Sequence, residues 1–208
     1  YYMRLVAVVF FLLGSCTLQA QKKVVKAIEN PNFSFVQIDG RNCFSLALET
    51  VDSPKITVEA SIDGEYLQDL LVSVKQEGTT ALVSTGFQPN FVFPNDKLSA
   101  HKVTSISLKI SIPKDLDVNV YGTSTNVGVT GDYAKLKISL SDGKCILNGR
   151  GENVEINTQS GNIELITNNA QIMASTKYGK IKREAIASGD DHFTLNSVTG
   201  NINIRKTE

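Results

Sequence analysis

The sequence predicts an all-β protein whose C-terminal half, residues 123–208, is a parallel β-solenoid, with an N-terminal β region over residues 21–122 stacked on it or continuous with it. Three observations predict this. A short phrase recurs as Asp142-Gly143-Lys144-Cys145, Ser160-Gly161-Asn162-Ile163, Tyr178-Gly179-Lys180-Ile181 and Thr199-Gly200-Asn201-Ile202, with a fainter copy at Thr125-Asn126-Val127 that lacks the glycine. The positions Asn126, Lys144, Asn162, Lys180 and Asn201 lie 18, 18, 18 and 21 residues apart, a period near twenty that marks stacked repeats. Elsewhere β-branched residues alternate with polar ones and helical periodicity is scarce.

The chain has 208 residues, 41% of them hydrophobic, enough for a substantial core. Its 21 basic and 21 acidic residues cancel, which removes the electrostatic footprint of a nucleic-acid binder. Met3 is read as the initiator, with Tyr1 and Tyr2 as gene-start artefacts. Arg4, an apolar run over residues 5–13 and the segment ending Leu18-Gln19-Ala20 read as a signal peptide over residues 1–20, cleaved before Gln21. Its loss removes Arg4 and no acid, leaving 20 basic against 21 acidic residues. Leu13-Gly14-Ser15-Cys16 also fits a lipoprotein box, in which Cys16 is lipidated and becomes the membrane attachment. Both readings place the mature protein outside the cytoplasm, in the periplasm, on the outer surface or beyond.

After the leader, residues 33–38, 43–50, 55–60, 71–75, 79–85, 105–112 and 117–121 read as short strands bounded by Asp39-Gly40, Asp63-Gly64, Glu77-Gly78 and Ile112-Pro113. Alternation is clearest where Ile106, Leu108, Ile110 and Ile112 share one face. Residues 65–71 could make a helical turn, and residues 88–102, with Pro89 and Pro94, read as a long loop.

Aligning the repeats exposes a strand ahead of each glycine and three inward columns: Leu136, Val154, Ile172, Phe193; Ile138, Ile156, Ala174, Leu195; and Val127, Cys145, Ile163, Ile181, Ile202. A fourth, Val129, Leu147, Leu165 and Ile204, is interrupted by Arg183, which predicts a loosened coil before an insertion over residues 184–191. Gly143, Gly161, Gly179 and Gly200 are expected at corners that demand positive φ. Asp142-Gly143 also suits a two-residue hairpin, but an antiparallel meander has no need of a period that carries the inward columns with it. The repeats and the N-terminal strands are expected to form one continuous domain over residues 30–208.

The Ser160-Gly161-Asn162-Ile163 and Thr199-Gly200-Asn201-Ile202 phrases, the weaker copies at Asp142 and Tyr178, and Ile112-Pro113-Lys114 resemble an adhesin-like family of domains of unknown function in exported bacterial proteins. The resemblance covers residues 33–208 and implies a right-handed solenoid at the cell envelope, an adhesive role and no catalytic residues.

Cys43 and Cys145 could form a disulfide in an oxidising compartment, although Cys145 also suits an inward column as a small hydrophobe. Asp190, Asp191 and His192 are the only acid–histidine cluster, a weak metal candidate against the simpler reading of a solvated turn. Lys180, Lys182 and Arg183 read as a solvated basic cluster, and Arg205 and Lys206 as charges blunting an open edge. The outward columns, Lys137 and Glu155 beside Ser139, Asn157, Ser175 and Asn196, form a polar ladder suited to a protein or glycan surface. The expected function is therefore non-enzymatic: an exported, adhesin-like protein with an envelope protein or glycan as partner, no cofactor and no nucleic acid. The rivals are a β-helix polysaccharide lyase or hydrolase, which needs paired acids on neighbouring coils, and a periplasmic scaffold or signalling accessory.

Overall fold

The computed structural model describes residues 22–30, 32–64, 68–91 and 104–207. The leader with Cys16, most of the long loop and His101 lie outside them, as do residues 65–67 of the expected helical turn. The described residues contain no helix. Their strands are β1 (Lys22–Glu29), β2 (Phe35–Asp39), β3 (Ser45–Val51), β4 (Lys55–Gly64), β5 (Leu70–Glu77), β6 (Thr80–Phe87), β7 (Thr104–Pro113), β8 (Asp117–Gly122), β9 (Asn126–Leu140), β10 (Cys145–Thr158), β11 (Ile163–Ile166), β12 (Asn169–Thr176), β13 (Ile181–Arg183), β14 (Ala187–Ser197) and β15 (Ile202–Arg205).

These strands line up in two runs. One run is ordered β5-β6-β2-β8-β9-β10-β14-β12, and the other β1-β4-β7-β3-β9-β10-β11-β15-β13. The long strands β9 and β10 belong to both, their first halves pairing in one run and their second halves in the other, so the runs join into one open 15-stranded sheet. Gly131, with φ 107°, lies between the two halves of β9. The inward residues of both runs form one buried cluster.

Within the repeats every pairing is parallel, and the first levels keep the 18-residue period. Val127 pairs with Cys145 and Cys145 with Ile163, while Leu136 pairs with Val154. The N-terminal strands continue the same columns: Val36 pairs with Ala81 and Val118, and Leu46 with Leu108 and Val127. At the N-terminal end, however, β4 lies antiparallel on β7, β5 on β6 and β1 on β4. The sheet is thus mixed, not uniformly parallel. Strand β1 pairs only with β4 among the described strands, and it lacks the alternation that would mark it in the sequence because little of it is buried.

Stacking order departs from chain order. Val154 pairs with Phe193, not with Ile172, and Ile172 pairs with Phe193 from the far side. Likewise Ile163 pairs with Ile202, and Ile181 lies beyond Ile202. The last repeat is inserted between the two that precede it. Arg183 therefore does not interrupt the fourth column: Leu165 meets Ile204 directly, and Arg183 sits outside Ile204 on the last strand of the run. Edge placement also explains why Ile181 is 43% exposed while Ile202 is fully buried. The insertion is not a loop throughout, since Ala187 onward belongs to β14. Its three extra residues fall within β14, where the register against β12 shifts from Asn169–Ala187 to Gln171–His192. Arg205 is paired beside Ile166 and does not close the edge, which is formed by β12 and β13.

Candidate functional site

The glycine phrase is a stacking device with a different cause from the one expected. None of Gly143, Gly161, Gly179 and Gly200 has positive φ; the residues that do are Gly64, Gly78, Gly131 and Asp115. What each lacks is room. A Cβ at Gly143 would overlap the carbonyl of Thr125, one at Gly161 that of Gly143, one at Gly200 that of Gly161, and one at Gly179 that of Gly200. The corners pile backbone on backbone, and only a hydrogen fits between them.

Hydroxyl and amide side chains lock this pile. Thr158 Oγ1 donates to the Gly161 carbonyl at 2.7 Å, and Gly200 N donates to Ser197 Oγ at 2.9 Å. Next to the glycines, Asn126 Oδ1 accepts from Lys144 N (3.3 Å), Asn162 Oδ1 from Asn201 N (2.8 Å) and Asn201 Oδ1 from Lys180 N (2.9 Å). Each asparagine thereby binds the backbone of the next level.

The polar ladder lies on the outer side of the first run. Lys137 pairs with Glu155 and Glu155 with Thr194; Ser139 pairs with Asn157, Asn157 with Asn196 and Asn196 with Ser175. All six candidate residues thus share one face, although Ser175 sits at its end beside exposed Met173. The side chains are connected. Lys137 Nζ meets Glu155 Oε2 at 3.0 Å, Asn157 Nδ2 donates to Glu155 Oε1 at 2.7 Å, and Asn196 Nδ2 donates to Asn157 Oδ1 at 3.0 Å. The Asn157 amide, then the Lys137 ammonium, hold the Glu155 carboxyl below its usual range. A carboxyl so stabilised in its charged form is a poor general acid near neutral pH.

Sequence reading missed the other half of this face. Gln37 pairs with Asn119 and Asn119 with Lys137, while Asp39 pairs with Tyr121 and Tyr121 with Ser139. Tyr121, 37% exposed, gives the ladder an aromatic member at its corner. The signal was present in the paired Val36, Ile38 and Val118, Val120, which match the inward columns. It is obscured because the intervening chain, β3 to β7, separates them in sequence.

The remaining candidates separate. Asp190 and His192 are exposed on β14, and Asp191 turns toward Arg150, 3.8 Å away. Among the described residues no three His, Cys, Asp or Glu side chains gather as a metal site. Cys43 and Cys145 are free and buried. Burial pushes the Cys43 thiol up to about 11 and the Cys145 thiol up to about 12. Neither thiol is expected to react with iodoacetamide in the folded protein, whereas denaturation without reductant exposes both. Intact mass reads the result, and failure to label both after denaturation contradicts the free-thiol structure.

The flat face, with its hydrogen bonds made along the strands, offers a broad contact surface. No family model matches the chain, and no curated protein matches it. Solved structures do. A candidate cell adhesion protein from Clostridium sporogenes matches with TM-score 0.62 at 14% identity, over 90% of this chain and 100% of the other. Candidate adhesins from Bacteroides fragilis (TM-score 0.33, 12% identity, 91% of this chain and 99% of the other) and Parabacteroides merdae (0.34, 14%, 90% and 97%) align more loosely. At these identities the likeness to the Clostridium protein is one of fold: this chain adopts the same all-β arrangement.

Proposed function

We propose that this chain is an exported, non-enzymatic, adhesin-like protein of the cell envelope that binds a protein or glycan surface through its polar ladder. The observation that carries the reading is the bonded row Lys137–Glu155–Asn157–Asn196 on an exposed, flat sheet face. Side chains already ordered by one another lose little freedom when a partner docks, so a polar face of this kind binds at lower entropic cost than a mobile one. The name of the Clostridium fold neighbour and the leader over residues 1–20 support the same reading. The paired, ionised state of Glu155 disfavours the lyase or hydrolase alternative, which needs a carboxyl poised to give up a proton.

The fold belongs to this proposal as well: residues 30–208 act as one right-handed solenoid unit, parallel through the repeats and closed at the N-terminal end by the antiparallel strands. Attachment is through the lipid on Cys16 or, after cleavage before Gln21, through something other than a membrane-spanning helix of the described residues.

The test is a panel of immobilised envelope glycans and host matrix proteins probed with the full chain and with Asn157→Ala/Asn196→Ala. At least one surface is expected to be bound, and the double variant is expected to lose about tenfold in affinity, as two interfacial hydrogen bonds of about 0.5–1.5 kcal/mol each predict. Binding that survives the double variant, or turnover of any glycan in the panel, would overturn the proposal.

A further inference from the structure

A second surface lies on the outer side of the other run and is distinct from the polar ladder. There a groove of about 420 Å³ is lined by Lys144, Asn162, Glu164, Lys180, Lys182 and Asn203, among others. Lys144, Asn162, Asn201 and Lys180 occupy the same position on four successive levels, so the two lysines end a row to which the insertion of β15 between β11 and β13 adds Asn201.

The groove is cationic although the chain is neutral. Glu164 is its lone lining carboxylate, and it is already engaged by Arg205 Nε at 2.9 Å and Lys144 Nζ at 3.2 Å. The Arg205 hydrogen bond, then that of Lys144, hold the Glu164 carboxyl below its usual range, so it stays charged and occupied. Three lysines, Lys144, Lys180 and Lys182, thus line the groove with one carboxylate, and that carboxylate is also paired by Arg205. Lys180 and Lys182 have exposed side chains with no ion pair among the described residues.

The asparagines extend the same polarity. The Oδ1 atoms of Asn162 and Asn201 are taken by backbone N–H groups of the neighbouring level, which leaves the Nδ2 groups of these exposed side chains as the donors still to be used. Donors without matching acceptors fit a ligand rich in acceptor oxygens. Edge protection accounts for Lys182 on β13 and Lys180 just ahead of it, but Lys144 and Asn162 occupy interior levels where no edge needs protecting.

We infer that this groove binds an extended anionic glycan, with carboxylate or sulfate groups held by Lys180, Lys182 and Lys144 and sugar oxygens by the asparagine amides. Successive levels are about 4.8 Å apart, so the donors form a row along which a chain of repeated acidic sugars meets one donor after another. Nucleic acid fits less well, because the groove lining has no aromatic ring on which a base could stack.

The test measures binding of the full chain to dextran sulfate and to polygalacturonate, with neutral dextran and poly-L-glutamate alongside, at low and high salt. Binding to at least one acidic glycan, weakened by salt, is expected, with none to neutral dextran. Lys180→Gln/Lys182→Gln is expected to weaken it by about tenfold, with unchanged thermal unfolding because both residues are exposed. Lys23→Gln/Lys26→Gln on β1 and the ladder variant Asn157→Ala/Asn196→Ala are expected to bind as the parent does, which separates this groove from the ladder. Absence of binding to both acidic glycans, equal loss in the β1 variant, or tighter binding to poly-L-glutamate would overturn the inference, the last by making the occupant an acidic peptide.

Discussion

Gly161→Ala is expected to destabilise the protein by about 2–4 kcal/mol, a value at or above the upper range for overpacking a close-packed site. For a chain of this size that lowers the midpoint of thermal unfolding by about 10 °C. The added methyl would occupy the space of the Gly143 carbonyl, and Gly143 is itself stacked on Thr125, so relief at one level loads the next. Backbone cannot rotate away as a side chain can. Gly128→Ala is the matched control: it lies on β9 with nothing near the position of its Cβ and no positive φ. That change is expected to be neutral or to stabilise by up to about 1 kcal/mol, through a less flexible unfolded chain and better strand propensity. Equal midpoints for the two variants would refute the close-stacking explanation of the corner glycines.

Ile202→Ala is expected to cost about 2–5 kcal/mol, and Ile181→Ala less than about 1 kcal/mol. Both residues follow a glycine phrase and both belong to the same column, so chain order would place Ile181 inside, between Ile163 and Ile202. The structure reverses them. Ile202 is fully buried between Ile163 and Ile181, while Ile181 is 43% exposed at the edge. A denaturant titration of each variant distinguishes the two orders, and a larger loss for Ile181→Ala would mean that the repeats stack as they are numbered. A double-mutant cycle adds a second reading: Val154 should couple to Phe193 and not to Ile172, since only contacting pairs depart from additivity.

These two cases show where sequence reasoning reached and where it stopped. The inward columns were legible because burial on one side of a strand imposes alternation, and stacking imposes the period; Leu136, Ile138, Val154 and Ile156 are buried as their spacing requires. The outward ladder followed from the same register. Arg183 was legible as an anomaly, but its meaning depended on which level it occupied. The basic groove was legible only as the fragment Lys180, Lys182 and Arg183, because Lys144 shares their column at a distance of several levels and joins them through the row of Asn162 and Asn201 between.

By itself the sequence determined the all-β class, the register of each repeat and which side of each strand faces the core, since these depend on contacts whose spacing along the chain is constant. Only the tertiary structure decided the order of the levels, the antiparallel closure of one end and the cause of the corner glycines. The physical reason is that any level offers its neighbour much the same row of backbone donors, acceptors and branched side chains. Which level lies next to which is therefore set by what the ends leave exposed, and the arrangement adopted buries Phe193 and Ile202 while leaving Ile181 and Arg183 at the edge.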